Sequence, residues 1–370
     1  MQKIAQNLIR KHGLFDSFYI ANLNILKNKI EEWKTYLPRV QPHYAVKCNP
    51  NTEMIKLMIN SGLGFDCASK SEIETVLRLG GKPESILFMH PFKASKDIEY
   101  AVKNNIQYTT FDSYSELEKI KKYAPNIKCM IRLKVNNPSA RVQLGLKYGI
   151  DKIDYQSYID AAKDLNINLV GACYHVGSAS KDPDVFKEGM AYAADVFAYA
   201  KQKGFILSIL DIGGGFTTDN FKDCAKVINE ELKAFDESIK IVAEPGRFFA
   251  SDVFTFYSPI IGYKYKNNQH EYFIRDGLYG SFNCMIYDGQ QPNFGYLKHP
   301  NNKNDDNFEL IDSKLYGGTC DSCDTMGTIK LPYLNINDFI TCENFGAYTI
   351  SGAKDFNGVP MSKIKIFYIK

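Results

Sequence analysis

Eight short apolar, β-rich runs alternate with charged or amphipathic stretches through the first two-thirds of this chain. The runs fall at residues 43–48, 62–67, 85–89, 107–112, 129–135, 169–177, 208–214 and 239–245. Helical patterning fills the gaps, as in Ser69–Leu79, Ser113–Tyr123 and Pro183–Lys203. Strict strand–helix alternation predicts a parallel sheet, because parallel neighbours need a long crossover. Eight such units over about 230 residues match a (β/α)8 TIM barrel, typically about 250 residues long. A doubly wound open sheet uses the same elements, but the ends of the runs favour the barrel. They close on Lys47, Asp66, His90, Asp112, Arg132, His175, Asp211 and Glu244. Barrel enzymes assemble their sites at the C-terminal ends of the strands. Turn chemistry accounts for any one polar strand end, though not readily for all eight.

From residue 253 onward the helical period fades. Short alternating segments at Val253–Tyr257, His270–Arg275, Phe308–Leu310, Phe339–Cys342 and Ile364–Ile369 lie between Gly- and Asn-rich turns. They predict a second, antiparallel β-rich domain. Asn301–Asn307 reads as a polar loop.

Composition narrows the function classes. The chain has 370 residues, enough for two domains. Its 45 basic and 42 acidic side chains nearly balance, so charge suggests neither nucleic acid nor a membrane surface as partner. No apolar run approaches the roughly 18 residues a membrane helix requires. The first residues, Met1–Asn7, lack the apolar core of a secretory signal. Nine cysteines without framework spacing point to reduced thiols and a cytoplasmic setting.

Three segments carry candidate chemistry. In Pro42-His43-Tyr44-Ala45-Val46-Lys47-Cys48-Asn49 a lysine stands at a strand end, where an amine can bond an aldehyde cofactor. Gly213-Gly214-Gly215 follows the seventh run, the region where barrels often hold phosphate, and Arg247 beyond the eighth run adds a charged donor. The spacing is not that of a dinucleotide loop. Cys320-x-x-Cys323 invites a zinc reading, but one pair without a second predicts no metal.

Taken with Ala243-Glu244-Pro245-Gly246-Arg247 and Cys320-Asp321, these segments resemble the pyridoxal-phosphate decarboxylases of the ornithine/diaminopimelate/arginine group, most closely its eukaryotic-type ornithine decarboxylases. The resemblance runs from about residue 18 to the end. It implies an alanine racemase-like barrel over residues 25–252, and a β-sandwich or β-barrel-like domain built from residues 1–24 and 253–370. It implies pyridoxal 5'-phosphate held by Lys47, with Asp66 and Glu72 nearby, and with Glu244 on its ring nitrogen. His175 would stack on the ring. Ser178, Gly213, Gly214, Gly215, Gly246, Arg247 and Tyr348 would serve the phosphate. Cys320 would return a proton to the substrate's α-carbon, and Tyr287, Asp288 and Asp321 would hold a distal ammonium. A glutamate at the nitrogen strengthens the electron sink that decarboxylation needs, where alanine racemases place an arginine. The implied activity is L-ornithine to putrescine, within polyamine biosynthesis, by a homodimer with shared sites. Arginine or lysine decarboxylation on the same fold is the alternative, as is an inactive regulator resembling the antizyme inhibitors. Diaminopimelate enzymes usually carry glutamate where this chain has Asp321. Gln143 departs from the arginine of many animal relatives.

Overall fold

Parallel strands buried on both faces must be apolar throughout, and the runs noted above become such strands. In the computed structural model, which describes residues 1–267, 269–302, 309–360 and 363–369, β1 (Phe18–Asn22) is followed by β2 (Val40–Ala45), β3 (Gly64–Cys67), β4 (Ile86–Phe88) and β5 (Tyr108–Phe111). Next come β6 (Lys128–Leu133), β7 (Leu169–Tyr174), β8 (Ile209–Asp211) and β9 (Lys240–Ala243). Strands β2 to β9 form a closed parallel barrel, sealed by β9 against β2 with Val40 opposite Ile241. The first barrel strand begins at Val40, earlier than the run at 43–48 indicates, because pairing with β9 reaches through Pro42. It stops at Ala45. Residues Val46–Cys48 form a 3-10 turn that carries Lys47 just past the strand end.

Short polar caps set the crossover helices. Asn51 accepts from the N–H groups of Glu53 and Met54 at the start of Thr52–Asn60. Ser69 accepts from Glu72 N–H before Lys70–Arg78, and Ser113 from Glu116 N–H before Tyr114–Tyr123. Each cap satisfies amides that have no partner inside the helix. Inside the barrel, Leu87, Met89, Met130, Cys173, Ile209 and Val242 form an apolar cluster. Outside it, Trp33 is fully buried, donates to Val40 O (2.9 Å) and packs on Phe216 and Phe221. Phe221 lies 4.2 Å from Phe248, ring to ring. This aromatic cluster reaches residues just beyond the glycine loop (Phe216) and just beyond Arg247 (Phe248).

The chain divides into two units, Asn28–Phe249 and Met1–Lys27 with Ala250–Lys370. In the second, β10 (Phe254–Lys266), β11 (Gln269–Ile274), β12 (Phe294–Leu297), β13 (Ile311–Tyr316), β14 (Thr325–Leu331), β15 (Phe339–Cys342) and β16 (Lys365–Ile369) join β1. The order is β12-β15-β10-β11-β13-β14, and β1 bridges β10 and β16. Most pairs are antiparallel, while β1 with β16 and β11 with β13 run parallel. Sequence patterning missed β1, β12, β13, β14 and most of β10, whose mixed polar faces acquire strand geometry from their neighbours. Part of the expected Phe308–Leu310 strand, and most of the 301–307 loop, lies outside the described residues. Glu309 and Leu310 are not in a strand. The unit's core includes Ile9, Phe18, Ile20, Tyr257, Leu297 and Phe339, with Phe18 stacked on Tyr257 at 4.8 Å. Among the described residues, no helix is long and apolar enough to cross a membrane.

Candidate active site

All eight polar residues singled out at the ends of the runs lie within two positions of the C-terminal end of a barrel strand. Lys47 Nζ donates to Asp66 Oδ2 at 2.8 Å. Asp66 is buried on β3, and its backbone pairs with Ala45 on β2. At the ends of the adjoining strands β8 and β9, Glu244 N–H donates to Gly213 O (2.7 Å), and Gly213 N–H donates to Asp211 Oδ1 (2.8 Å). The Asp211 and Glu244 carboxyls are both buried and feel each other's charge. Burial lifts both above the ordinary carboxylate range, and neighbouring negative charge adds to it; Asp211 is pushed up to about 7. At neutral pH this pair retains a proton.

Burial, aided by the positive charges of Lys47 and Arg132, drives the His175 imidazole far below its usual value. The ring is therefore neutral, and its Nδ1 accepts from Gly177 N–H at 3.0 Å. Such a ring can lie against another flat group without adding a cation.

Gly213 has φ +65°, and a Cβ there would sit 2.2 Å from Tyr174 O. Only glycine satisfies both constraints. Gly246 approaches the turn that bears Lys47: a Cβ would lie 2.9 Å from Cys48 Cβ. Arg247 Nη2 donates to Ser178 Oγ at 3.0 Å, so the loops after β7 and β9 meet in a donor-rich corner. Asn137, which sequence reasoning missed, ties that corner together by donating to Val176 O (2.7 Å) and Ser180 Oγ (2.8 Å). Its place in an irregular polar stretch carried no local signal. Glu72 proves to be part of a helix cap: its Oε2 accepts from Ala68 N–H (2.6 Å) while its own N–H meets Ser69.

The barrel mouth thus brings together Lys47, Asp66, His175, Ser178, Gly213, Gly214, Gly215, Glu244, Gly246 and Arg247. Three buried acids, Asp66, Asp211 and Glu244, interact electrostatically. Such a cluster favours a cation placed among them. The glycine loop and the Arg247–Ser178 corner suit an anion. Together they fit a ligand with a protonated ring nitrogen and a phosphate.

The remaining candidates belong to the other unit. Cys320 and Asp321 sit on the turn between β13 and β14. Tyr279 Oη donates to the Asp321 carboxylate. That bond, with the Cys323 N–H, holds Asp321 below the usual carboxylate range. Tyr279 stacks on Phe356 at 4.1 Å. Asp324 organises the same loop: it accepts from Thr319 Oγ1 (2.7 Å) and from Leu278 N–H (2.7 Å). Neither Tyr279 nor Asp324 was singled out from sequence, since their partners are remote in the chain. Asp288 is buried just after the short helix Cys284–Tyr287, while Tyr287 is largely exposed. Tyr348 has φ +57°, a strained conformation for an aromatic residue and one found preferentially at functional loops. No group of three or more His, Cys, Asp or Glu that could hold a metal occurs among the described residues.

Comparison with known proteins gives this architecture its relatives. Residues 23–251 match the family model described as pyridoxal-dependent decarboxylase, pyridoxal binding domain. Ornithine decarboxylase of Schizosaccharomyces pombe is 39% identical over 361 residues, which cover 94% of this chain and 83% of that protein. Antizyme inhibitor 2 of Xenopus laevis is 35% identical, covering 94% and 80%. The crystal structure of the Paramecium bursaria Chlorella virus arginine decarboxylase superposes with a TM-score of 0.95 at 35% identity, covering all of both chains.

Proposed function

This chain belongs to the pyridoxal-dependent decarboxylases and uses pyridoxal 5'-phosphate, and on that premise we propose that its reaction is the decarboxylation of L-ornithine to putrescine. When bound, the cofactor supplies an electron sink for the electron pair left behind as the α-carboxylate departs as carbon dioxide. The observation that carries the assignment to the barrel mouth is the Asp211–Glu244 pair beside the Lys47–Asp66 ion pair. Lys47 would hold the cofactor covalently through its amine. Asp66 keeps that amine oriented at the mouth. Glu244 would hold the proton on the ring nitrogen, and the Asp211 charge makes Glu244 hold its own proton more tightly when no cation is bound. His175, neutral, would lie against the ring. Gly213, Gly214, Gly215, Gly246, Ser178, Arg247 and Tyr348 would take the phosphate.

Cys320 would deliver a proton to the substrate's α-carbon. Asp321 and Asp288, with Tyr287 alongside, would take the distal ammonium. A compact ammonium suits two carboxylates as a point charge. The S. pombe relative, an ornithine decarboxylase, supports the choice of ornithine. The full-length likeness to a viral arginine decarboxylase supports a second reading, arginine as substrate. The active form in this proposal is a homodimer, in which the Cys320 loop of one copy serves the barrel of the other. Cytoplasmic residence accords with nine cysteines, none of them in a disulfide.

The deciding experiment is carbon dioxide release by cofactor-loaded protein given ornithine, lysine and arginine in parallel. Ornithine faster by an order of magnitude supports the proposal. Arginine or lysine in front overturns the substrate and leaves the chemistry. Lys47→Ala retaining full turnover would overturn the role of the lysine.

A further inference from the structure

Seven of the nine cysteines are buried; the two exposed ones are Cys320 and Cys323. They flank a closed turn. Asp324 N–H donates to Asp321 O (3.1 Å), and Cys323 N–H donates to Asp321 Oδ1 (2.9 Å). Cys320 N–H is fixed by Asn357 Oδ1 at 3.1 Å. Two solvent-facing thiols, separated by two residues across an anchored turn, have the spacing of a redox-active dithiol.

We propose that Cys323 is a resolving thiol for Cys320, and that oxidation by a peroxide joins them in a reversible disulfide that switches the enzyme off. The loss of activity rests on the reading of Cys320 as proton donor; the disulfide itself does not. The Cys320 thiolate attacks one peroxide oxygen, the O–O bond breaks, and water leaves after taking up a proton. The resulting sulfenic acid is attacked by the Cys323 thiolate. The S–O bond breaks, a second water departs, and the S–S bond forms. Two electrons pass from the two thiols to the peroxide. A dithiol reductant returns them. While the bond persists, Cys320 has no proton to give.

The test treats cofactor-loaded enzyme and its Cys323→Ser variant with hydrogen peroxide, then with dithiothreitol. Unreduced peptides are read by mass spectrometry, and carbon dioxide release is followed in parallel. Serine is close to cysteine in size and keeps the backbone N–H that bonds Asp321, so the variant should match the parent before oxidation. The expected result is a Cys320–Cys323 link, a loss of turnover of about tenfold or more, and its return on reduction. In Cys323→Ser the loss should persist after reduction, because Cys320 proceeds to the sulfinic acid. Peroxide-sensitive turnover with no link, and equal recovery in both proteins, overturns the switch while leaving Cys320's role intact. A link that forms while turnover is unchanged overturns the switch and the role of Cys320 together.

Discussion

Asp211, at the end of β8, and Glu244, just past β9, are buried carboxyls whose negative charges raise one another's cost of ionisation. Two buried carboxyls that repel each other cannot both be charged cheaply, so one proton stays with the pair. Bound cofactor with a protonated ring nitrogen would relieve that repulsion.

This pair makes a pH-dependent prediction. Asp211 is raised from 3.8 to about 7, so the stability it contributes is present below the lower value and lost as pH rises through the higher one. Without cofactor, the melting temperature of the parent relative to Asp211→Asn should therefore climb as pH falls from about 8 to about 5. Adding pyridoxal 5'-phosphate should shrink the difference. Thermal melts across pH, with and without cofactor, check both; a flat difference refutes the shared proton.

Lys93 offers a separate test. It is buried, its Nζ lies 2.7 Å from Glu116 Oε1, and it also donates to His90 O and Thr110 O. Lys93→Met leaves a buried carboxylate with only Lys119 to balance it, and should cost about 3 kcal/mol. Lys93→Met with Glu116→Met should cost less than the single change, because no buried charge is stranded. Urea unfolding measures both.

Trp33 is the packing test. Trp33→Ala opens a void among Phe216, Phe221, Phe248 and Phe249, and should cost about 3–5 kcal/mol. Since Phe216 follows the glycine loop and Phe248 follows Arg247, cofactor affinity should weaken as well. Trp33→Phe should lose less of both. Unfolding and cofactor titration report the two effects independently.

Substrate recognition predicts a KM effect. Asp288 is buried, and Asp288→Asn keeps its shape but removes its charge. The loss of a charged hydrogen bond, about 1.5–3 kcal/mol, should raise KM for ornithine roughly 10- to 100-fold with kcat changed much less. A variant with unchanged KM would remove Asp288 from the substrate site.

Local pattern was enough for the barrel. A parallel strand covered on both faces must be apolar along its length and end in a turn, so β3 to β9 appear as apolar runs, each with its polar residue at the end. Helix starts were equally visible, because Ser69 and Ser113 cap through side chains next to the residues they serve. Tertiary structure decided what depends on distant partners. It extended β2 back through Pro42 by pairing with β9, and assembled β12, β13 and β14 from segments whose mixed polarity looks like loop. It brought Tyr279 to Asp321, and it buried Lys93 on Glu116 although a lysine in sequence reads as solvated. It also set the protonation of Asp211 and Glu244. Periodicity and caps are properties of neighbouring residues, and sequence carries them directly. Register, burial and shared protons depend on which remote groups the folded chain places together, and they exist only once it has folded.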